Sequence, residues 1–277
     1  MSEHPKHLLN SYGLTPKKSL GQNFLFDDNI LARIAGAADL APRETVLEIG
    51  PGLGALTRQL AARAARVVAV ELDDRLLPAL RHELAGLENV VVVHGDILAH
   101  DPADLISGPY VVVANVPYYI TGAILRHLLG GAHKPSRLVL TVQNEVAERL
   151  TAEPPHMSLL AVSVRYYGAV TPVTVVKAGA FWPRPDVDSA IIRIDLYEHP
   201  QDNAAAEDAF FRLVRAGFSQ KRKQLQKNLR QLGLSRAAIA RALSEANIEG
   251  SRRAETLLLA EWHALAEALA QAGGSDH

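Results

Sequence analysis

Short, nearly unbroken apolar runs alternate with helical patterns along the first two thirds of the chain. Residues 45–49, 66–72, 90–94, 110–114 and 138–142 are rich in Val, Leu and Ile, with few polar interruptions. Runs of this kind are typical of parallel strands buried on both faces; a half-exposed strand would alternate instead. Between them, residues 55–64, 73–84, 121–129 and 144–150 carry apolar positions at helical spacing, with Asp73 and Thr121 as expected N-caps. Such strand–helix alternation predicts a doubly wound α/β sheet. Two further strands are expected at 169–176 and 189–197, on either side of the turn Phe181-Trp182-Pro183-Arg184-Pro185. The second sets Ile191, Arg193 and Asp195 against Ile192, Ile194 and Leu196, which suits an edge or antiparallel strand.

The pattern changes after the linker-like His199-Pro200-Gln201-Asp202-Asn203. Residues 204–216, 221–232, 235–246 and 254–270 all have helical spacing, and no strand candidate lies among them. The expected division is an α/β domain over 1–199 and a small all-α domain over 204–277.

Composition narrows the chemistry. The 277 residues are 48% hydrophobic and 21% charged, as in a globular chain with a substantial core. No apolar run approaches the ~18 residues of a membrane span. The start, MSEHPKHLLNSYG, lacks a secretory apolar stretch, so a cytoplasmic protein is expected. With no cysteine, thiol nucleophiles, disulfides and Cys-ligated metals are excluded, and the eleven His show no ligand spacing. A metal-free protein is the expectation.

The net charge of −1 conceals a segregation. Nine Lys and Arg and no acid lie from Arg212 to Arg241, whereas eleven acids face six Arg from Asp39 to Asp104. The basic block suits a polyanionic partner. On a helical wheel Lys223, Lys227 and Arg230 fall opposite Leu225, Leu229 and Leu232, as in a helix docked by leucines with its cations outward. Phosphate contacts from such a face would position RNA without reading its sequence.

The first strand runs into Glu48-Ile49-Gly50-Pro51-Gly52-Leu53-Gly54-Ala55 and then a helix. A glycine-rich strand-to-helix turn lets backbone approach a nucleotide closely. Glu48, Glu71 and Asp96 end or follow three strands, so all three should line the crevice at the carboxyl ends of the sheet. Glu71, about 20 residues past the turn, is placed for ribose hydroxyls, and Asp96 for an exocyclic amine. Glu48 would repel a pyrophosphate but favour an ammonium or sulfonium group, which fits S-adenosyl-L-methionine better than NAD. The fourth strand ends in Asn115-Val116-Pro117-Tyr118-Tyr119. An Asn carbonyl with a neighbouring backbone carbonyl can accept both N–H bonds of an aromatic amine, and a Tyr face can stack on its base.

Five segments occur in order: Gly21-Gln22-Asn23-Phe24-Leu25, Glu48 to Gly52, Asn115 to Tyr118, Val142-Gln143-Asn144-Glu145-Val146-Ala147, and Phe181 to Ala190. Together they resemble the rRNA adenine N6-dimethyltransferases, and within them most the bacterial small-subunit (16S) type. The resemblance spans Lys18 to Leu269, including Phe218-Ser219-Gln220-Lys221-Arg222-Lys223. It implies a Rossmann-like S-adenosylmethionine-dependent methyltransferase sheet with a C-terminal rRNA-binding domain and a cofactor-closing segment at 1–26. Cofactor positions carry over at Asn23, Leu25, Gly50, Glu71, Asp96 and Asn115, and catalytic ones at Asn115, Pro117, Tyr118 and Phe181, the last an aromatic set against the target base. RNA-binding positions are expected at Lys221, Arg222, Lys223, Lys227 and Arg230. The implied activity is dimethylation of two adjacent adenosines in the 3′-terminal hairpin of 16S rRNA, by a monomer acting on a 30S precursor particle. Departures from the family pattern are Tyr119, where Asn or His is usual, Arg184 within the Pro triplet, and Pro155 to Leu159 without the usual Tyr-Gly pair.

Three other functions compete. A 23S rRNA methyltransferase of the resistance type shares the Asn-x-Pro-Tyr turn, but the basic segment and Phe181–Ala190 favour the small-subunit type. A non-catalytic RNA-binding assembly factor is disfavoured by the intact Gly50, Glu71, Asp96 and Asn115. An NAD oxidoreductase is disfavoured by Glu48 and by the lack of a residue for hydride chemistry.

Overall fold

The computed structural model describes residues 3–198 and 204–273. Its strands are β1 (Phe24–Leu25), β2 (Thr45–Ile49), β3 (Arg66–Glu71), β4 (Val90–His94), β5 (Tyr110–Asn115), β6 (Arg137–Gln143), β7 (Gly168–Val176), β8 (Phe181–Trp182) and β9 (Ser189–Leu196). Seven of them form one sheet in the order β4-β3-β2-β5-β6-β9-β7. Strands β2 to β6 pair in parallel, and β9 returns antiparallel to β6 from Ser189↔Gln143 to Asp195↔Arg137. Val46, Leu47, Val67, Val111, Val112 and Val113 are wholly buried, which is why these segments read as continuous apolar runs.

The order reverses at β2. The chain steps outward through β3 and β4, then crosses back to place β5 on the other side. In open α/β sheets, the crevice at such a switch point lies at the carboxyl ends of the flanking strands. Register defines what lines it: Ile49 pairs with both Val70 and Ala114. Gly50, Glu71 and Asn115 therefore stand together, one residue beyond the same rung.

Two compact units form, one of Met1–Ala147 with Ala169–Leu196, the other of Glu148–Gly168 with Tyr197–His277. The division expected from sequence is corrected here. Residues 148–168 belong with the helical unit, because Met157, Ala161, Val162 and Tyr166 bury into one core with Phe210, Leu213, Val214, Leu225, Leu229 and Trp262. The expected linker, His199 to Asn203, lies outside the described residues.

Helical signals also shift. Asp73 does cap, its carboxylate accepting from Arg75 N–H, but Thr121 does not: Ile120 is the N-cap and the Thr121 hydroxyl donates to the Tyr118 carbonyl. The expected helix over 221–232 begins only at Leu225. Lys221, Arg222 and Lys223 lie in a turn that precedes it, after the helix Ala204–Gly217. The buried Asn228 amide holds that turn by donating to the Gly217 and Gln220 carbonyls at 2.6 and 3.1 Å. The N–H groups of Leu225 and Gln226 go to the carbonyls of Arg252 and Gly250, so the helix starts where tertiary acceptors exist. A helix Pro5–Ser11 and the small β1–β8 ribbon had no counterpart in the sequence expectations.

Candidate active site

The glycine turn is built for close approach. Gly50 and Gly52 have φ of +70° and +58°, a region that strains residues with a Cβ. A Cβ on Gly52 would also sit 3.1 Å from the Phe24 ring. Phe24 belongs to a small core with Leu8, Leu9, Leu53, Leu76 and Ala79, so the N-terminal helix and the glycine turn pack as one wall. The crevice between this wall and the strand ends is lined by Asn23, Leu25, Glu48, Gly50, Glu71, Asp96, Asn115, Pro117 and Tyr118, among others.

Glu71 is 6% exposed and already committed. Its carboxylate accepts from Gly52 N–H at 3.0 Å and from Asp73 N–H at 2.8 Å, so it braces the glycine turn as well as facing the crevice. Burial raises its pKa, while those backbone N–H donors act the other way. Asp96 uses one oxygen to cap the turn after β4, accepting from Leu98 N–H at 2.9 Å.

Glu48 is buried to 1% exposure, and its Oε2 has no partner among the described residues. Burial above all pushes its pKa up to about 8, with Thr57 opposing and the Glu71 charge adding the smallest share. Glu48 is therefore mostly protonated at neutral pH, which revises the expected standing repulsion of a pyrophosphate. The preference survives in another form, since a cationic group beside it would favour release of the proton.

Asn115 is oriented by a tertiary bond. Its Nδ2 donates to the Asn23 carbonyl at 3.2 Å, and the Asn23 side chain in turn donates to the Gly21 carbonyl at 3.1 Å. A carbonyl partner admits only the NH2 end of the amide, so Oδ1 remains as an acceptor. Gln22 anchors the same strap: its Oε1 accepts from Lys17 N–H, and its Nε2 donates to Asp73 at 2.7 Å. The Tyr118 hydroxyl shares a 2.6 Å hydrogen bond with that of the fully buried Ser189, fixing the ring plane. Burial raises the Tyr118 pKa, so the phenol stays neutral.

Phe181 departs from expectation. Its ring is 3% exposed, packed in the core with Leu25, Leu31, Val176 and Ile191, and it is not part of the crevice wall. Backbone pairing with Leu25 in the β1–β8 ribbon holds it there, so its face is covered and not open to a base. Gln22 and Ser189 went unnoticed in sequence; only the resemblance, through the motifs containing them, pointed at either.

The basic positions all face solvent: Lys221, Arg222, Lys223, Lys227 and Arg230 are exposed, while Leu225 and Leu229 are fully buried and Leu232 packs partly against the same core. Among the described residues no carboxylate comes within 4.0 Å of these five cations. Arg252, by contrast, is bound to Glu261.

The family model "Ribosomal RNA adenine dimethylase" matches residues 13–271. The chain belongs to this family. It is 46% identical over 263 residues to a "Ribosomal RNA small subunit methyltransferase A" of Dehalococcoides mccartyi strain CBDB1, covering 94% of this chain and 90% of that one. It is 44% identical over 274 residues to the protein of that name in Moorella thermoacetica, covering 95% of each. Among solved structures it resembles a dimethyladenosine transferase from Plasmodium falciparum, with TM-score 0.79, 25% identity, and coverage of 90% of this chain and 98% of that one. It also resembles the 23S rRNA methyltransferase ErmE, with TM-score 0.76, 34% identity, and coverage of 90% and 100%. These likenesses extend through both units. No helix among the described residues is long and apolar enough to cross a membrane.

Proposed function

We propose that this chain transfers methyl groups from S-adenosyl-L-methionine to N6 of two adjacent adenosines in the 3′-terminal hairpin of 16S rRNA, giving N6-dimethyladenosines. The small-subunit relatives are 44–46% identical, against 34% for the 23S enzyme, which favours the small-subunit target. A 30S precursor as the particle recognised, action as a monomer and residence in the cytoplasm complete the reading.

The crevice suits the cofactor. Gly50 and Gly52 leave open backbone, Glu71 and Asp96 keep acceptor lone pairs toward ribose and base, and the unpartnered Glu48 Oε2 awaits a polar or cationic group. Asn23, Leu25 and Asn115 would close the methionine end, with the 1–26 segment as cover. When bound, S-adenosylmethionine supplies an electrophilic methyl on a sulfonium.

The single observation that carries the mechanism is the Asn115 amide locked by the Asn23 carbonyl. The free Oδ1 accepts one N–H of the adenine amine, and the carbonyl of Pro117, which takes Ile120 N–H with one lone pair, has another for the second. Both acceptors oppose delocalisation of the nitrogen lone pair into the ring and strengthen as the amine becomes tetrahedral. The Tyr118 ring, clamped through its hydroxyl, offers a stacking wall. No strong base is required, since the proton can leave to water once the nitrogen is cationic. The exposed cations from Lys221 to Arg230 would hold rRNA phosphates. Primer extension on rRNA from a deletion strain, with and without this gene restored, tests the proposal: stops at two adjacent adenosines should vanish on deletion and return with the gene. Unchanged stops in the deletion strain would refute it.

A further inference from the structure

Tyr119 stands apart from its neighbour. Tyr118 is half-buried with its hydroxyl engaged, whereas Tyr119 is 61% exposed at the rim of the same crevice. Its ring is nevertheless held in place. A Cβ built on Gly21 would lie 3.3 Å from Tyr119 Cε1 and 3.4 Å from Pro117 Cβ, so part of the ring rests against the Gly21 backbone. Gly21 is itself pinned, its N–H donating to the Lys18 carbonyl and its carbonyl accepting from the Asn23 amide. The same turn carries the exposed Lys17 and Lys18. An open aromatic face resting on a fixed turn that also carries two exposed cations is the makeup of a single-strand stacking platform.

We propose that Tyr119 stacks on the nucleobase adjacent to the one inside the crevice, with Lys17 and Lys18 toward the intervening phosphates. The inference rests on the proposed function: a substrate with two neighbouring adenosines, one drawn into the crevice, leaves the other unstacked just outside. Tyr119 is then a binding residue for the second base, and it helps select a splayed pair over a lone adenosine. The role is confined to RNA binding, because Tyr119 contributes none of the polar atoms assigned to the reacting amine.

The test uses the full chain and single-turnover methyl transfer to reconstituted small-subunit particles. One particle carries the natural adenosine pair, and a second has an abasic nucleotide beside the target. On the natural particle Tyr119→Ala should raise the half-saturating concentration roughly 5- to 140-fold, the range for one lost base–aromatic stack, with the saturated rate nearly unchanged. Tyr119→Phe and Tyr119→Trp should restore it. On the abasic particle, wild type and Tyr119→Ala should become equal, a coupling that general loosening of the rim would not produce. An equal penalty for Tyr119→Ala on both particles, or no penalty on the natural one, would overturn the inference. Absence of methyl transfer by wild type to the natural particle would instead sink the functional reading beneath it.

Discussion

The crevice and the basic segment are organised on opposite principles. In the crevice four polar side chains are held by partners far away in the chain: Asn115 by Asn23, Gln22 by Asp73, Tyr118 by Ser189, Glu71 by Gly52. In the basic segment the leucines and Asn228 are placed by contacts, whereas the five cations are exposed and have no carboxylate partner among the described residues. The first arrangement fixes atoms to within a hydrogen bond, as reaction at one nitrogen demands. The second supplies charge density, which a flexible polyanion can meet in many ways. Single changes should therefore be costly in the crevice and graded in the basic segment.

The largest effect is expected from Glu48. Its native pKa of about 8 lies above the ordinary 4.5, so the folded state holds the proton more tightly than the unfolded chain. The stability this contributes is fully present below pH 4.5 and is lost as pH rises toward 8. At 1.36 kcal/mol per unit the loss is roughly 3–5 kcal/mol. Urea midpoints of Glu48→Gln should lack this fall; a variant whose profile runs parallel to wild type would show that the carboxyl ionises freely.

Next comes the reacting amine. Asn115→Ala should lower the single-turnover rate by about 10²–10³, the scale for one lost oriented polar group. RNA affinity should hardly move. Near-normal turnover with cofactor and particle both saturating would remove the Asn-Val-Pro-Tyr turn from the chemistry, and with it the contrast between the two regions.

Glu71→Ala should weaken S-adenosylmethionine by about 1.5–3 kcal/mol, the range for a charged hydrogen bond. Because the carboxylate also braces Gly52 and Asp73, the variant should lose some thermal stability without cofactor. Calorimetry reporting wild-type affinity in a folded variant would leave Glu71 as a brace alone.

The smallest effect per side chain belongs to the cations. Changing Lys223, Lys227 and Arg230 together to Gln should flatten the salt dependence of RNA binding by roughly 0.7–0.9 in log–log slope per lost phosphate contact. Each single change should give about a third of the total, whereas crevice variants should not combine additively. A slope that stays put in the triple variant would make this face ordinary solvated surface.

Much of this protein is legible in its residues. Continuous apolar runs marked β2, β3, β5 and β6, because a strand buried on both faces has no polar side to show; β4 carries such a run too, yet it is the sheet edge and leaves Val91 39% exposed. The glycine turn, Glu71, Asp96 and Asn115 could be placed at strand ends, since parallel topology brings carboxyl ends to one edge. Leucines opposite cations survived even though the helix carrying them begins at Leu225, because burial follows local spacing while a helix start depends on distant acceptors in Gly250 and Arg252. Tertiary structure decided the rest. Nothing in the order of residues shows that β1 pairs with β8, that Phe181 is thereby covered, or that residues 148–168 join the helical core. Nor could it show that Glu48 keeps its proton or that the Asn23 carbonyl turns the Asn115 amide, for both depend on what the fold brings within a few ångströms of a group and how much water it excludes.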